Sequence, residues 1–167
     1  MQLEYLNRER INETDYLWIT KKGRKNICKS YLGKQGGRQK LYVSSSCGKR
    51  GIKHEIMHAM GFYHEHARKD RDDHLIVNLD NIINGKEKNF KICTYCWTFK
   101  IPYDFRSIMH YRYRDLSKNG LPTLLPKNGV PKEDLGNTDD LTASDEEKIR
   151  KLYNCKAKCK HKQKIEM

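Results

Sequence analysis

Five residues between positions 54 and 64 have the types and spacing for metal chemistry: His54, Glu55, His58, Gly61 and His64. On a helix, residues four apart lie one turn above each other, so His54 and His58 can aim two imidazoles at one point. Two such ligands alone hold zinc weakly. Gly61 lacks a Cβ, so it can take a positive φ, turn the chain back and bring His64 to the same ion. Three neutral imidazoles leave one coordination position open for water. Glu55 follows the first ligand, so its carboxylate falls beside that open position rather than on the metal. There it can take a proton from the polarised water and pass it to a leaving amine, which is the chemistry of peptide hydrolysis.

The short string H-E-x-x-H arises by chance on charged helical faces, whereas the extended H-E-x-x-H-x-x-G-x-x-H is far stricter. The stretch HEIMHAMGFYHEHARKDRD, with Ser107-Ile108-Met109-His110-Tyr111 downstream, resembles the signature and Met-turn of the astacin family of zinc endopeptidases, within the metzincins. The resemblance implies an α+β, two-lobed, zincin-like fold with a small mixed sheet, a zinc-binding helix and a C-terminal helix. It implies one Zn2+ per chain on His54, His58 and His64, with Glu55 as general base and then acid. Met109 would form an apolar floor beneath the metal. Tyr111 would be an additional ligand that swings away to stabilise the tetrahedral intermediate. On their own, Met109 and Tyr111 read as core packing. The same resemblance implies a Cys28–Cys47 disulfide, and bound peptide paired by main-chain hydrogen bonds along an edge strand near residues 39–44. It makes Arg68 to Asp72 salt-bridge and turn elements, and the protein secreted.

Several elements must position these groups. Asp15 to Thr20 is rich in aromatic and branched residues and reads as a strand, as does Leu41 to Ser44. Gly33, Gly36 and Gly37 mark a loop between them. Ile52, Ile56, Met57 and Met60 recur at helical spacing, which predicts a helix from Gly51 to about Met60, ended by Gly61. Residues 75–111 read as mostly irregular. Ser144-Asp145-Glu146-Glu147 has the pattern of a capping box, so a final helix is expected from Ser144 to about Cys155, with Ile149, Leu152 and Tyr153 on its apolar stripe.

The 167 residues fit one domain. The expected division is a peptidase domain over 1–155, N-terminally incomplete by comparison with the family, and a basic tail over 156–167. On that reading Glu65 lacks the N-terminal partner it has in the family. No apolar run reaches the roughly 18 residues of a spanning helix, and the chain opens without a signal peptide. The six cysteines instead suit an oxidising compartment, and Asn12-Glu13-Thr14 is a possible glycosylation sequon. Cys155 is either free or bonded to Cys159, Cys93 or Cys96. Cys93 and Cys96 read most plainly as an extra disulfide. His66, His74, His110 and His161 read as surface or core residues.

The net charge of +13 allows polyanion contact through a basic surface. Lys127 is a candidate for favouring acidic side chains on the primed side of the substrate. Two other readings share the zinc ligands: an astacin-like fragment that binds zinc without cleaving, and a basic polyanion-binding protein with a structural zinc.

Overall fold

The computed structural model describes residues 14–21 and 27–155. Strand β1 (Tyr16–Lys21) pairs in parallel with β2 (Arg38–Val43), setting Trp18 opposite Lys40 and Ile19 opposite Leu41. Alternation sends Leu41 and Val43 inward, where they pack with Ile19, Cys28 and Cys47 against Ile52 and Ile56 of helix α1 (Gly48–Ala59). This packing fixes the long axis of the helix that carries the first two histidines. The helix starts at Gly48 rather than Gly51 because its first turn is polar and invisible to apolar periodicity. The Cys47 carbonyl accepts from Gly51 N at 3.0 Å.

The helix ends as expected. Gly61 has φ +102°, and the turn is closed by Gly61 N to His58 O (2.9 Å) and Phe62 N to Met57 O (3.0 Å). Below it, Met57, Phe62, Ile108 and Met109 form a second buried cluster. A third joins Leu75, Ile82, Phe90, Leu124 and Leu135. Between these clusters the chain is largely irregular, as expected, with the short helix α2 (Arg71–His74) and strand β3 (Leu75–Val77). β3 pairs antiparallel with β4 (Leu124–Pro126), a strand too short for any sequence periodicity to reveal.

Two expectations need correction. Strand 39–44 is not a free edge: β1 covers one side, and on the other Lys29 pairs with Tyr42 through reciprocal backbone bonds of 3.1 and 2.8 Å. Among the described residues, no strand pairs with the other side of the chain around Lys29. The last helix, α3 (Ala143–Leu152), is capped by Thr142 and not Ser144, with Asp145 rather than Glu147 completing the box. Asp145 takes that place because it is fully buried and drawn inward by further donors, whereas Glu147 faces solvent and pairs with Lys151 at 2.9 Å.

Disulfides join Cys28 to Cys47 and Cys93 to Cys96, and Cys155 has no disulfide partner among the described residues. No described helix is long and apolar enough to cross a membrane. Asn12, Cys159, His161 and the basic tail lie outside the described residues.

Candidate metal centre and active site

His54 and His58 come from one face of α1, and His64 from the segment that Gly61 turns back. The Nδ1 of His54 lies 2.8 Å from the Ile108 carbonyl, and that of His58 lies 2.9 Å from the Phe62 carbonyl. A carbonyl only accepts, so both Nδ1 atoms carry the proton and both Nε2 atoms present a bare lone pair. The Nε2 of His64 stands 3.1 Å from that of His58 and 3.3 Å from that of His54. Lone pairs this close repel unless a cation lies between them. A tetrahedral zinc with Zn–N of about 2.05 Å sets its nitrogens about 3.3 Å apart, so the donor set fits this ion. Among the described residues it is the one His, Cys, Asp or Glu cluster able to hold a metal. Burial depresses all three imidazoles, His58 to about 4 with help from neighbouring His54, which keeps them neutral and available.

Glu55 is buried and shares a cavity of about 380 Å³ with His54 and Tyr111. Burial pushes its carboxyl above the usual range, opposed by a hydrogen bond donated by the Ser30 backbone N–H. Tyr111 places its ring 4.8 Å from that of His64, and burial raises its hydroxyl to about 12, so it stays a proton donor at neutral pH. Met109 is buried in the cluster with Met57, Phe62 and Ile108, and its carbonyl accepts from Glu65 N at 2.9 Å. A larger apolar cavity, about 510 Å³, touches His64 and Met109 but neither Glu55 nor His54. The structure thus gathers His54, His58 and His64 at one point, with Glu55 and Tyr111 on a cavity that His54 also lines and Met109 on one that His64 lines.

It also shows supports that the sequence reading missed. Asp145 of α3 accepts from Ser107 Oγ at 2.6 Å and from Ile108 N at 2.9 Å, and the Ile108 carbonyl in turn orients His54. One signal could have found it: Asp145 lies four residues after Leu141 and four before Ile149, so a carboxylate stands on an apolar stripe. Glu65, expected without its family partner, is fully engaged. It accepts from Arg68 Nη1 (3.0 Å), Lys148 Nζ (2.6 Å) and Asp104 N (3.1 Å). Arg68 also grips Asp70, and Arg71 pairs with Asp72, so the charge run is structural, as expected.

Of the unassigned histidines, the three that lie among the described residues, His66, His74 and His110, are packed residues. His66 is fully buried, donates from Nε2 to Asn89 O at 3.0 Å, and stacks 3.9 Å from the Tyr111 ring. Its Nδ1 has no partner among the described residues. His110 donates from Nδ1 to Tyr111 O at 2.6 Å and accepts the Tyr103 hydroxyl at 2.8 Å, while His74 stacks on Tyr103. Lys127 points elsewhere, its ammonium bonded to the Asp72 carbonyl.

Comparison with known proteins gives the same answer. The family model described as Astacin, a peptidase family, matches residues 3–154. The chain belongs to the astacin family. It is 40% identical over 159 residues to zinc metalloproteinase nas-6 of Caenorhabditis elegans, covering 93% of this chain and 45% of that protein. It is 39% identical over 154 residues to nas-14 of the same organism, covering 86% and 29%. Among solved structures it is similar to High choriolytic enzyme 1, a hatching enzyme zinc-protease from the medaka fish Oryzias latipes. That match has a TM-score of 0.79 and 35% identity, and covers 88% of this chain and 72% of the other. This astacin chain therefore spans less than half the length of these two nematode relatives. The fold is the α+β astacin-type protease fold, and the three histidines suit the zinc of the family.

Proposed function

We propose that the chain cleaves peptide bonds in extracellular proteins by zinc-assisted attack of water. The observation that carries this reading is the convergence of three imidazole nitrogens, those of His58 and His54 lying 3.1 and 3.3 Å from His64 Nε2, with His54 lining a cavity that also holds Glu55 and Tyr111. A structural zinc would want a fourth protein ligand, and no carboxylate, cysteine or fourth histidine joins this cluster among the described residues. The two disulfides support an oxidising compartment.

The ion, when bound to His54, His58 and His64, supplies Lewis acidity to the attacking water and to the scissile carbonyl. The chain supplies the rest. Glu55, its affinity for protons raised by burial, accepts a proton from the water and returns it to the departing amine. The Tyr111 hydroxyl, held protonated, donates to the oxygen that gains negative charge. Met109 closes the floor with apolar contacts. The substrate main chain runs along the edge at residues 29–32 rather than 39–44, because Lys29 already covers β2 at Tyr42. Arg112, which lines the Glu55 cavity, takes the role for acidic side chains that Lys127 cannot reach. A peptide-library profile without acidic enrichment beside the cleaved bond would remove that assignment.

The test of the reaction is Glu55→Ala. It should retain one zinc per chain by metal analysis and lose roughly 10²–10⁴-fold in cleavage of an unfolded protein. Undiminished cleavage would refute the assigned base. Zinc binding without cleavage in the parent protein would favour the non-cleaving reading.

A further inference from the structure

The outer face of the β1–β2 pair carries chemistry that the zinc site does not use. Alternation puts Tyr16, Trp18 and Thr20 with Arg38, Lys40 and Tyr42 on the side away from the Leu41–Val43 core. Lys29 joins them, because residues paired directly across strands share a face and Lys29 pairs with Tyr42. The Trp18 indole gathers two of the cations: the Arg38 guanidinium stands 4.5 Å and the Lys40 ammonium 5.7 Å from its ring centroid. Such contacts hold long side chains in place while leaving their charge available. None of Lys29, Arg38 and Lys40 forms an ion pair with a described residue, unlike Arg68, Arg71 and Lys148. The acid nearest in sequence to this strand pair, Asp15, is engaged by Lys34 at 2.7 Å and by Gly37 N at 2.5 Å.

Cations fixed on a flat sheet form a grid, with spacings of about 4.8 Å between strands and about 6.7 Å along one. A polymer with anionic groups on both edges of a ribbon of rings is complementary to such a grid. Two macromolecules offer that chemistry, and the indole separates them. Single-stranded nucleic acid stacks its bases on open aromatic faces. Here guanidinium and ammonium groups approach the indole face. What Trp18, 39% exposed, still offers suits the C–H edge of a sugar ring. The disulfides also place the chain where sulfated polysaccharides occur and free nucleic acid is scarce.

We propose that the outer face of β1–β2 binds a sulfated, glycosaminoglycan-like polysaccharide, with Lys29, Arg38 and Lys40 on its anionic groups and Trp18 positioning them. The site is independent of the zinc, so chelation leaves binding unchanged. The probe is a size-defined heparin oligosaccharide titrated at several salt concentrations, with circular dichroism and zinc content confirming that each variant is folded. Arg38→Glu/Lys40→Glu should lose about tenfold or more in affinity, and its log–log salt slope should fall by about two. Lys88→Glu/Lys91→Glu, the same charge change elsewhere, should lose less than about threefold. Trp18→Thr, which alters no charge, should lose about threefold. On the unaltered protein, bound oligosaccharide should shield Lys29 and Lys40 from acetylation and leave Lys88 and Lys91 reactive. Equal losses in the two double variants, absence of shielding, or no binding by the parent protein would overturn the proposal. So would a single-stranded oligonucleotide or anionic vesicles binding the same face as tightly.

Discussion

His66 packs its imidazole against both His64 and Tyr111, 5.3 Å from the His64 ring and 3.9 Å from that of Tyr111. It sets the plane of the tyrosine by contact rather than by a hydrogen bond, because its one bonded nitrogen is committed to Asn89 O. His66→Ala would leave a hole behind both residues, so it should lower stability by about 3 kcal/mol in urea unfolding. If the ring also steers Tyr111, kcat should fall while KM changes little. Tyr111→Phe keeps the stack but removes the hydroxyl. It should retain zinc and lose about 10²-fold in kcat, measured on a short quenched peptide. Unchanged kcat would show that the hydroxyl does not meet the reacting oxygen.

The helix α3 holds the site from behind, and of its two capping residues only Asp145 bonds the Met-turn. Thr142→Ala removes the cap bond from Asp145 N and the 2.6 Å bond that Thr142 Oγ1 donates to Asp104 Oδ2, neither of which reaches the Met-turn, and should cost about 2 kcal/mol of stability with little change in zinc affinity. Asp145→Ala strips acceptors from buried Ser107 Oγ and Ile108 N, so it should cost about 3 kcal/mol and weaken zinc binding about tenfold, measured by competition with a chelator. Equal effects from the two would mean that only the cap matters. This contrast also explains what could be read in advance. The grouping of the three histidines, Glu55 and the turn glycine was legible because one helix turn and one reversal place them, a relation contained in a few residues of spacing. The bond from Asp145 to the Met-turn and that from Lys148 to Glu65 span 37 and 83 positions, and no local pattern records which partner a buried charge will find. The choice of Thr142 over Ser144 follows from that distant pull. The mistaken free edge has the same origin, since only tertiary folding lays Lys29 beside Tyr42.

The molecule as a whole is built around neutral imidazoles, which ties its stability to pH. Burial holds His66 at about 3 and His110 at about 4, well below the ordinary value near 6.5. With folded values depressed, the unfolded chain binds protons first as pH falls. Their contribution is therefore complete above about pH 6.5 and is lost on acidification towards 4, each adding up to about 1.4 kcal/mol per pH unit. In metal-free protein the three ligand histidines act in the same sense. Urea midpoints measured with a chelator should thus be level from pH 8 to 7 and fall steeply by about pH 5.5. A flat midpoint across that range would show that these side chains are not buried as described. The long reach of α3 has a consequence in time. A ribosome delivers His54, His58 and His64 long before Asp145 and Lys148, so the nascent chain carries all three histidines before the Met-turn that orients His54 is itself held. Ordered geometry at the centre must wait for the last helix to emerge, and a product of premature termination before residue 145 would hold the right residues without the frame to use them.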